Sequence, residues 1–380
     1  MINKTRFRAL CLGLLMVSGP FAFAWDDSVL EAEQAESLPT DEELAPNLPE
    51  PQRNLGDKLL IGYWHNFDNG SGFMKLRDVS PAYDVIHVAF AESVDASQKM
   101  AFTPYRYSES EFKADVAALQ SRGKKVLISI GGANGYVHLD NEDRKRNFVE
   151  SMDRIIRTYG FDGIDIDLEG ASLSLNPGDN DFKRPVTPAV VHLIAAIREL
   201  HARSGGRLLV TMAPETFFVQ IGYAAYGGAA GAYLPVIHAL RGILTFIHVQ
   251  HYNSGSVEGL DDKAYASGTA DFHVALAEML MTGFPIARNV QAFFPALRPD
   301  QVVIGLPATP QAAGSGFTPA ADVQKALRYL AKGQSYGGQY RLKNASGYPG
   351  IRGIMTWSIN WDAYSRFEFS TPHRTFLNSL

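Results

Sequence analysis

Short aliphatic runs recur down the chain: "LLIGYWHNF" (59–67), "VIHVAF" (85–90), "KVLISIGG" (125–132), "GIDIDLEG" (163–170), "RLLVTMAPE" (207–215), "LTFIHVQHYN" (244–253), "VVIGLPA" (302–308) and "GIMTWSINWD" (353–362). Near-continuous apolar runs of this length suit parallel strands covered on both faces. Between most of them the pattern turns helical, as in "SEFKADVAALQSRG" before the third run and "PAVVHLIAAIRELHARSG" before the fifth, each closed by glycine as a C-terminal cap. A further helix, "PAADVQKALRYLAKG" (319–333), precedes the eighth. Eight strands alternating with helices predict a single (β/α)8 barrel over residues 57–380. No Gly-rich dinucleotide turn follows the first strand, which argues against a doubly wound open sheet. The periodic elements run to about residue 370, and no appended domain is expected after them.

The first 24 residues change this picture. Lys4, Arg6 and Arg8, an apolar stretch from Leu10 to Val17 and the triplet Ala22-Phe23-Ala24 have the form of a secretory signal peptide. The only cysteine, Cys11, lies within it, so the mature chain is expected to lack disulfides and cysteine metal sites. Residues 25–56 read as an acidic, proline-containing disordered leader: Trp25 to Glu50 holds nine acids, three prolines and no Lys or Arg. Residues 51–380 hold 32 basic and 31 acidic residues, close to neutral. No basic patch argues for nucleic acid and no second apolar span for a membrane.

Most of the runs end in polar or aromatic residues at their C-terminal side, the face where barrel enzymes keep their chemistry. The first offers Tyr63, Trp64 and His65, the third Ser129, Gly131 and Gly132, and the fifth Met212 and Glu215. The sixth offers Gln250, Tyr252 and Asn253, and the eighth Trp357, Asn360 and Asp362. The fourth is the most unusual. Residues two apart on a strand share a side, so Asp165, Asp167 and Glu169 project together toward the mouth, while Asp162 has the opposite parity and suits a turn or cap. Like charges this close cannot all stay ionised in a poorly solvated interior, so at least one carboxyl should hold a proton near neutrality and serve as a general acid. Oxygen ligands for a hard cation are the alternative use, but metal sites gather ligands from several elements, and no metal is expected. His87, His192 and His248 lie within apolar runs and are expected to be satisfied core residues.

The spacing D-G-x-D-x-D-x-E, here Asp162-Gly163-Ile164-Asp165-Ile166-Asp167-Leu168-Glu169, resembles the signature of family 18 glycoside hydrolases, the chitinases and their relatives. The S-x-G-G motif is present as Ser129-Ile130-Gly131-Gly132, and "TMAPE", "QHYN" and "MTWSINWD" follow in the family's order, over about residues 58–370. The resemblance implies Glu169 as proton donor to the glycosidic oxygen. It implies Asp167 turning between Asp165 and the substrate's 2-acetamido group, with Asp165 sharing its proton. The acetamido oxygen itself would attack the anomeric carbon, assisted by Tyr252. Trp357 would floor the −1 subsite, Met212 and Gln250 would line the acetamido pocket, and Tyr63, Trp64, Asn253 and Glu215 would border it. Ser129, Gly131 and Gly132 would be structural.

The expected function is therefore a secreted chitinase, extracellular or periplasmic. It would act as a monomer on chitin or N-acetylglucosamine oligosaccharides, without cofactor and with no membrane association after signal cleavage. An endo-β-N-acetylglucosaminidase acting on the chitobiose core of N-glycans and an inactive chitin-binding lectin are the alternatives; intact Glu169 argues against the lectin. The connection between the seventh and eighth strands, about 309 to 352, is too short for the small α+β domain that many processive chitinases insert there. An open groove and endo-type cutting are expected.

Overall fold

The structure, a computed structural model, describes residues 55–380. The expected signal peptide and nearly all of the acidic leader lie outside the described residues. Eight parallel strands form the barrel: β1 (Leu59–His65), β2 (Val85–Ser93), β3 (Lys125–Gly131), β4 (Gly163–Asp167), β5 (Leu209–Met212), β6 (Phe246–Gln250), β7 (Val302–Pro307) and β8 (Gly353–Trp357). Each pairs with its neighbour in sequence, and β1 pairs with both β8 and β2, which closes the ring. The (β/α)8 reading of the sequence holds.

Helices α1 (Glu109–Ser121), α2 (Glu142–Tyr159), α3 (Pro188–Arg203), α4 (Leu234–Leu240), α5 (Ala270–Thr282) and α6 (Ala320–Lys332) alternate with the strands, and α7 (Ile359–Tyr364) and α8 (Ser370–Leu377) follow β8. Local chemistry sets their ends. Ser108 caps α1 in a reciprocal box with Glu111, and Gly160 and Gly333 take left-handed conformations that terminate α2 and α6. No full helix joins β1 to β2, only a 3-10 turn over Leu76–Asp78. Between β7 and β8 the chain holds α6 and irregular segments and no inserted sheet.

Strand parity divides the buried residues into two sets. Leu60, Trp64, Ile86, Ile128, Ile164, Val210, Met212, Ile247 and Ile354 pack outward against the helices. Leu59, Ile61, Tyr63, Val85, Leu127, Leu209, Phe246, Val303 and Met355 fill the interior, and Leu55 already packs against this inner set. Both faces are apolar because both are covered, which is why the strands read as continuous runs. Above the inner apolar layer come the polar residues of the same parity, Asp165, Asp167, Thr211, His87, His248 and Gln250, all buried.

Two expectations about the strands change. β8 stops at Trp357, because Ser358 accepts a hydrogen bond from Trp361 N and starts α7. Asn360 and Asp362 are therefore buried helix residues: Asp362 accepts from Tyr83, Phe369 N and Ser370 N, and Asn360 accepts from His65 N. β4 likewise ends at Asp167, and Tyr233 caps the exit by donating to Leu168 O and accepting from Leu168 N.

Candidate active site

A cleft of about 610 Å³ opens at the C-terminal end of the barrel. Asp167, Glu169, Gln250, Tyr252, Asn253 and Trp357 line it, with Phe67 and Phe90. Register explains the gathering. β4 lies between β3 and β5, and Gly131 stands opposite Asp167. A Cβ on Gly131 would meet Asp167 O at 2.4 Å, and Gly132 N donates to that same oxygen at 2.7 Å. The S-x-G-G glycines thus let β3 press against the acid-bearing strand, as expected. Ser129 does more than the sequence suggested, since its hydroxyl donates to Asp165 Oδ2 at 2.7 Å.

Asp165 is the deepest of the three acids and is fully enclosed. Tyr63 donates to its Oδ2 at 2.5 Å and Thr211 to its Oδ1 at 2.7 Å. His87 Nδ1 approaches Oδ2 to 3.4 Å and His248 Nε2 approaches Oδ1 to 3.2 Å. Burial alone would push this carboxyl up, but the two imidazoles outweigh it and hold it well below the ordinary range. The expectation that Asp165 shares a proton with Asp167 therefore does not describe this arrangement. Asp165 is an anion wrapped in donors. His87, Asp165 and His248 form the one such group among the described residues close enough to hold a metal ion. The lone pairs of Asp165 are engaged by three hydroxyls, and the rings of Tyr63, His87 and His248 close around it. We read it as a hydrogen-bonded cluster.

Asp167 and Glu169 behave in the opposite way. Burial, then the Glu169 and Asp165 charges, push Asp167 well above its ordinary value. Burial also raises Glu169, with Glu215 adding to it and Gln250 opposing it. Each carboxyl also influences the proton affinity of the other. Gln250 Nε2 stands 3.0 Å from Asp167 Oδ1, from Glu169 Oε1 and from Ala213 O. The row of three acids is thus split: the deepest is held toward its charged form, while the upper two bind their protons more tightly than free carboxyls.

Tyr252 is buried beside the pair, and burial followed by the charges of Asp167 and Glu169 pushes its phenol well up, so it remains an O–H donor. Asn253 sits at the rim in a left-handed conformation, its Oδ1 accepting from Gly314 N at 2.8 Å. Trp357 stacks on Phe90 with centroids 5.9 Å apart and planes 18° apart, and His65 and Phe67 extend the aromatic wall.

A sequence profile for glycosyl hydrolases family 18 matches residues 59–371. The chain belongs to this family. Over 326 residues it is 59% identical to a chitinase of Paenibacillus xylanexedens, an alignment covering 86% of this chain and 62% of that protein. It is 60% identical over 327 residues to chitinase D of Niallia circulans, with the same coverage. The chain therefore spans less than two thirds of the length of these two relatives. A crystal structure of a family 18 chitinase from Chromobacterium violaceum superposes with a TM-score of 0.78 at 43% identity, covering 85% of this chain and 84% of that one.

Within this family 18 barrel, four residues expected at the pocket lie elsewhere. Met212 has the parity of Val210, so it is buried outward against the helices and does not line the cleft; Thr211 takes the inward place beside Asp165. Tyr63 points inward but lies under the cleft, spent on Asp165. Trp64 also faces the helices, its indole N–H donating to Met74 O. Glu215 is half-buried beside Glu169 and outside the cleft lining. Asp162 is a strand-entry residue that accepts from Gln120 and Val126 N. His192 is half-buried and bonded to Leu139 O, whereas His87 and His248 are fully buried and face Asp165, so none of the three is a satisfied core histidine. Among the cleft residues that sequence reasoning missed are Phe67 and Phe90, which lie just past β1 and toward the end of β2.

Proposed function

We propose that this protein is a chitinase that hydrolyses β-1,4 bonds between N-acetylglucosamine units with retention of configuration. One observation carries the mechanism. Ordinary retaining glycosidases place their two carboxyls about 5–5.5 Å apart, across the bond to be cut. Here a single nitrogen, Gln250 Nε2, stands 3.0 Å from both Asp167 Oδ1 and Glu169 Oε1, so the two carboxyls converge on one another and do not flank that bond. The geometry supplies an acid and an orienting group, and the nucleophile must come from the substrate.

Glu169, its proton retained by burial, gives that proton to the glycosidic oxygen as the C–O bond breaks. The 2-acetamido oxygen of the −1 sugar bonds to the anomeric carbon and forms an oxazolinium ion. Asp167 receives the amide N–H and balances the positive charge, and Tyr252 donates to the acetamido oxygen before attack. Trp357 and Phe90 offer apolar faces to the sugar's C–H face. Water then opens the oxazolinium, losing its proton to Glu169. Asp165 stays charged beneath.

The short β7–β8 connection supports an open groove and endo-type cutting. The signal-like residues 1–24 support export, and the near-neutral barrel is consistent with an uncharged polymer as substrate. Incubation with chitin oligomers and, separately, with a high-mannose glycoprotein tests the reading. We expect N-acetylglucosamine oligomers from the first and an intact glycan in the second, with viscosity of a soluble chitin derivative falling ahead of reducing-end release. Glycan release without oligomer cleavage would overturn it.

A further inference from the structure

Asp165 touches no part of the cleft, yet six strands of the barrel are organised around it. From β1, β3 and β5 come the hydroxyls of Tyr63, Ser129 and Thr211; from β2 and β6 come the imidazoles of His87 and His248; from its own strand comes Asp167. The remaining strands, β7 and β8, contribute Val303, Met355 and Trp357 to the interior, none of them titratable. The two histidines are completely buried, and none of their four ring nitrogens has a well-aligned hydrogen bond. Asp165 is the charged group that both rings approach, and the rings also face each other with centroids 4.9 Å apart.

We infer that His87 and His248 are positioning residues of the active site, which keep Asp165 a carboxylate and so keep the proton of the acid row on Asp167 and Glu169. This deepens the chitinase reading and rests on it for its catalytic consequence. The argument starts from cost. An imidazole buried without a hydrogen bond is expensive, and a Phe or Leu would fill the same space among Tyr63 and Phe246. Two such rings placed on one carboxylate have an electrostatic use. Burial keeps His248 below its ordinary value although Asp165 opposes this; its Nε2 faces Asp165, and His87 reaches the same carboxylate through Nδ1. These contacts are longer than the three hydroxyl bonds and act chiefly through charge and dipole.

The consequence runs upward. With Asp165 fixed as an anion, it has no proton to give Asp167 and none to take from it. Its charge instead raises Asp167, which favours the proton remaining in the upper pair bridged by Gln250. Remove the imidazoles, and Asp165 competes for that proton as the pH falls.

The test uses the full chain with 13C-labelled aspartate carboxyls, the Asp165 signal being assigned by its loss in Asp165→Asn. In the parent protein this carboxyl should remain ionised down to acid unfolding. In His248→Phe or His87→Phe it should titrate at least about one pH unit higher, and the acid limb of kcat on a chitin tetramer should rise by about the same amount, with KM changed less than about twofold. His248→Gln and His87→Gln restore an N–H dipole and should return both readouts toward the parent. A purely structural role would lower Tm in the Phe and Gln variants alike and leave the carboxyl and the acid limb where they were; that result overturns the inference. Measuring both histidines separately keeps the test intact where one variant does not fold. A parent protein that cuts no chitin oligomer sinks the chitinase reading, while the Asp165 titration still decides this one.

Discussion

Gln250 Nε2 lies 3.0 Å from Glu169 Oε1, and the same nitrogen reaches Asp167 at the same distance. One carboxamide therefore donates to both members of the acid pair and favours their charged forms against the burial that disfavours them. Gln250→Leu removes this donor while keeping the volume. Losing a hydrogen bond to a charged group costs about 1.5–3 kcal/mol, so kcat should fall by roughly tenfold to a hundredfold. Because the donor opposed the upward shift, the basic limb of the pH–rate profile should move to higher pH. An unchanged limb would show that Gln250 only fills space.

Glu169→Gln separates chemistry from stability. Without the acid, hydrolysis should drop by about 10² or more while oligosaccharide binding persists, as measured by turnover and by calorimetry. The stability effect has the opposite sign. Glu169 and Asp167 have folded-state pKa values raised above their unfolded ones, so their favourable contribution is full below the unfolded values and is lost as pH rises through the folded ones. Glu169→Gln and Asp167→Asn should therefore gain Tm relative to the parent as the pH is raised from about 5 to about 8. Thermal unfolding across that range reads it, and a gap that shrinks with pH would contradict the protonation pattern.

The barrel was legible because covered parallel strands leave continuous apolar runs, and the acid row was legible because strand parity is simple. What was misread depended on neighbouring strands. Met212 stood beside the motif, but parity gives the interior to Thr211. Asn360 and Asp362 followed an apolar run that Ser358 breaks by capping a helix, a signal present in the sequence and passed over. His87 and His248 share the inward parity of Val85 and Phe246, yet only the closed ring brings β2 and β6 to the same carboxylate. Phe67 and Phe90 are joined to Trp357 in the same way, by closure of β1 onto β8 and β2.

Gly132 has φ +74°, and a Cβ there would lie 2.6 Å from the Phe90 ring. Gly132→Ala meets both a conformational penalty and a clash, and should destabilise the protein by about 2–4 kcal/mol in denaturant unfolding. Because Phe90 carries Trp357, the variant should also raise KM for oligosaccharides. Wild-type stability would mean that Phe90 moves freely, and that the aromatic wall is soft.

Partially deacetylated chitin tests substrate assistance. A glucosamine at −1 has no carbonyl oxygen to close the oxazolinium, so new reducing ends should be N-acetylglucosamine almost throughout. Sequencing the oligomer products measures this directly. Abundant glucosamine at that end would require a protein nucleophile, and the paired geometry of Asp167 and Glu169 provides none.

Asp165 draws its hydroxyl partners from 102 positions upstream, 36 upstream and 46 downstream, and an imidazole from β6 beyond them. A chain emerging from the ribosome presents this aspartate well before Thr211 and His248 exist. Until they arrive, a half-built ring would have to bury an ion with part of its shell missing, which is costly enough to keep β4 open to water. The same residue that sets the electrostatics beneath the cleft thus discourages premature collapse of the first four strands, because its shell is complete only once the sixth has joined them.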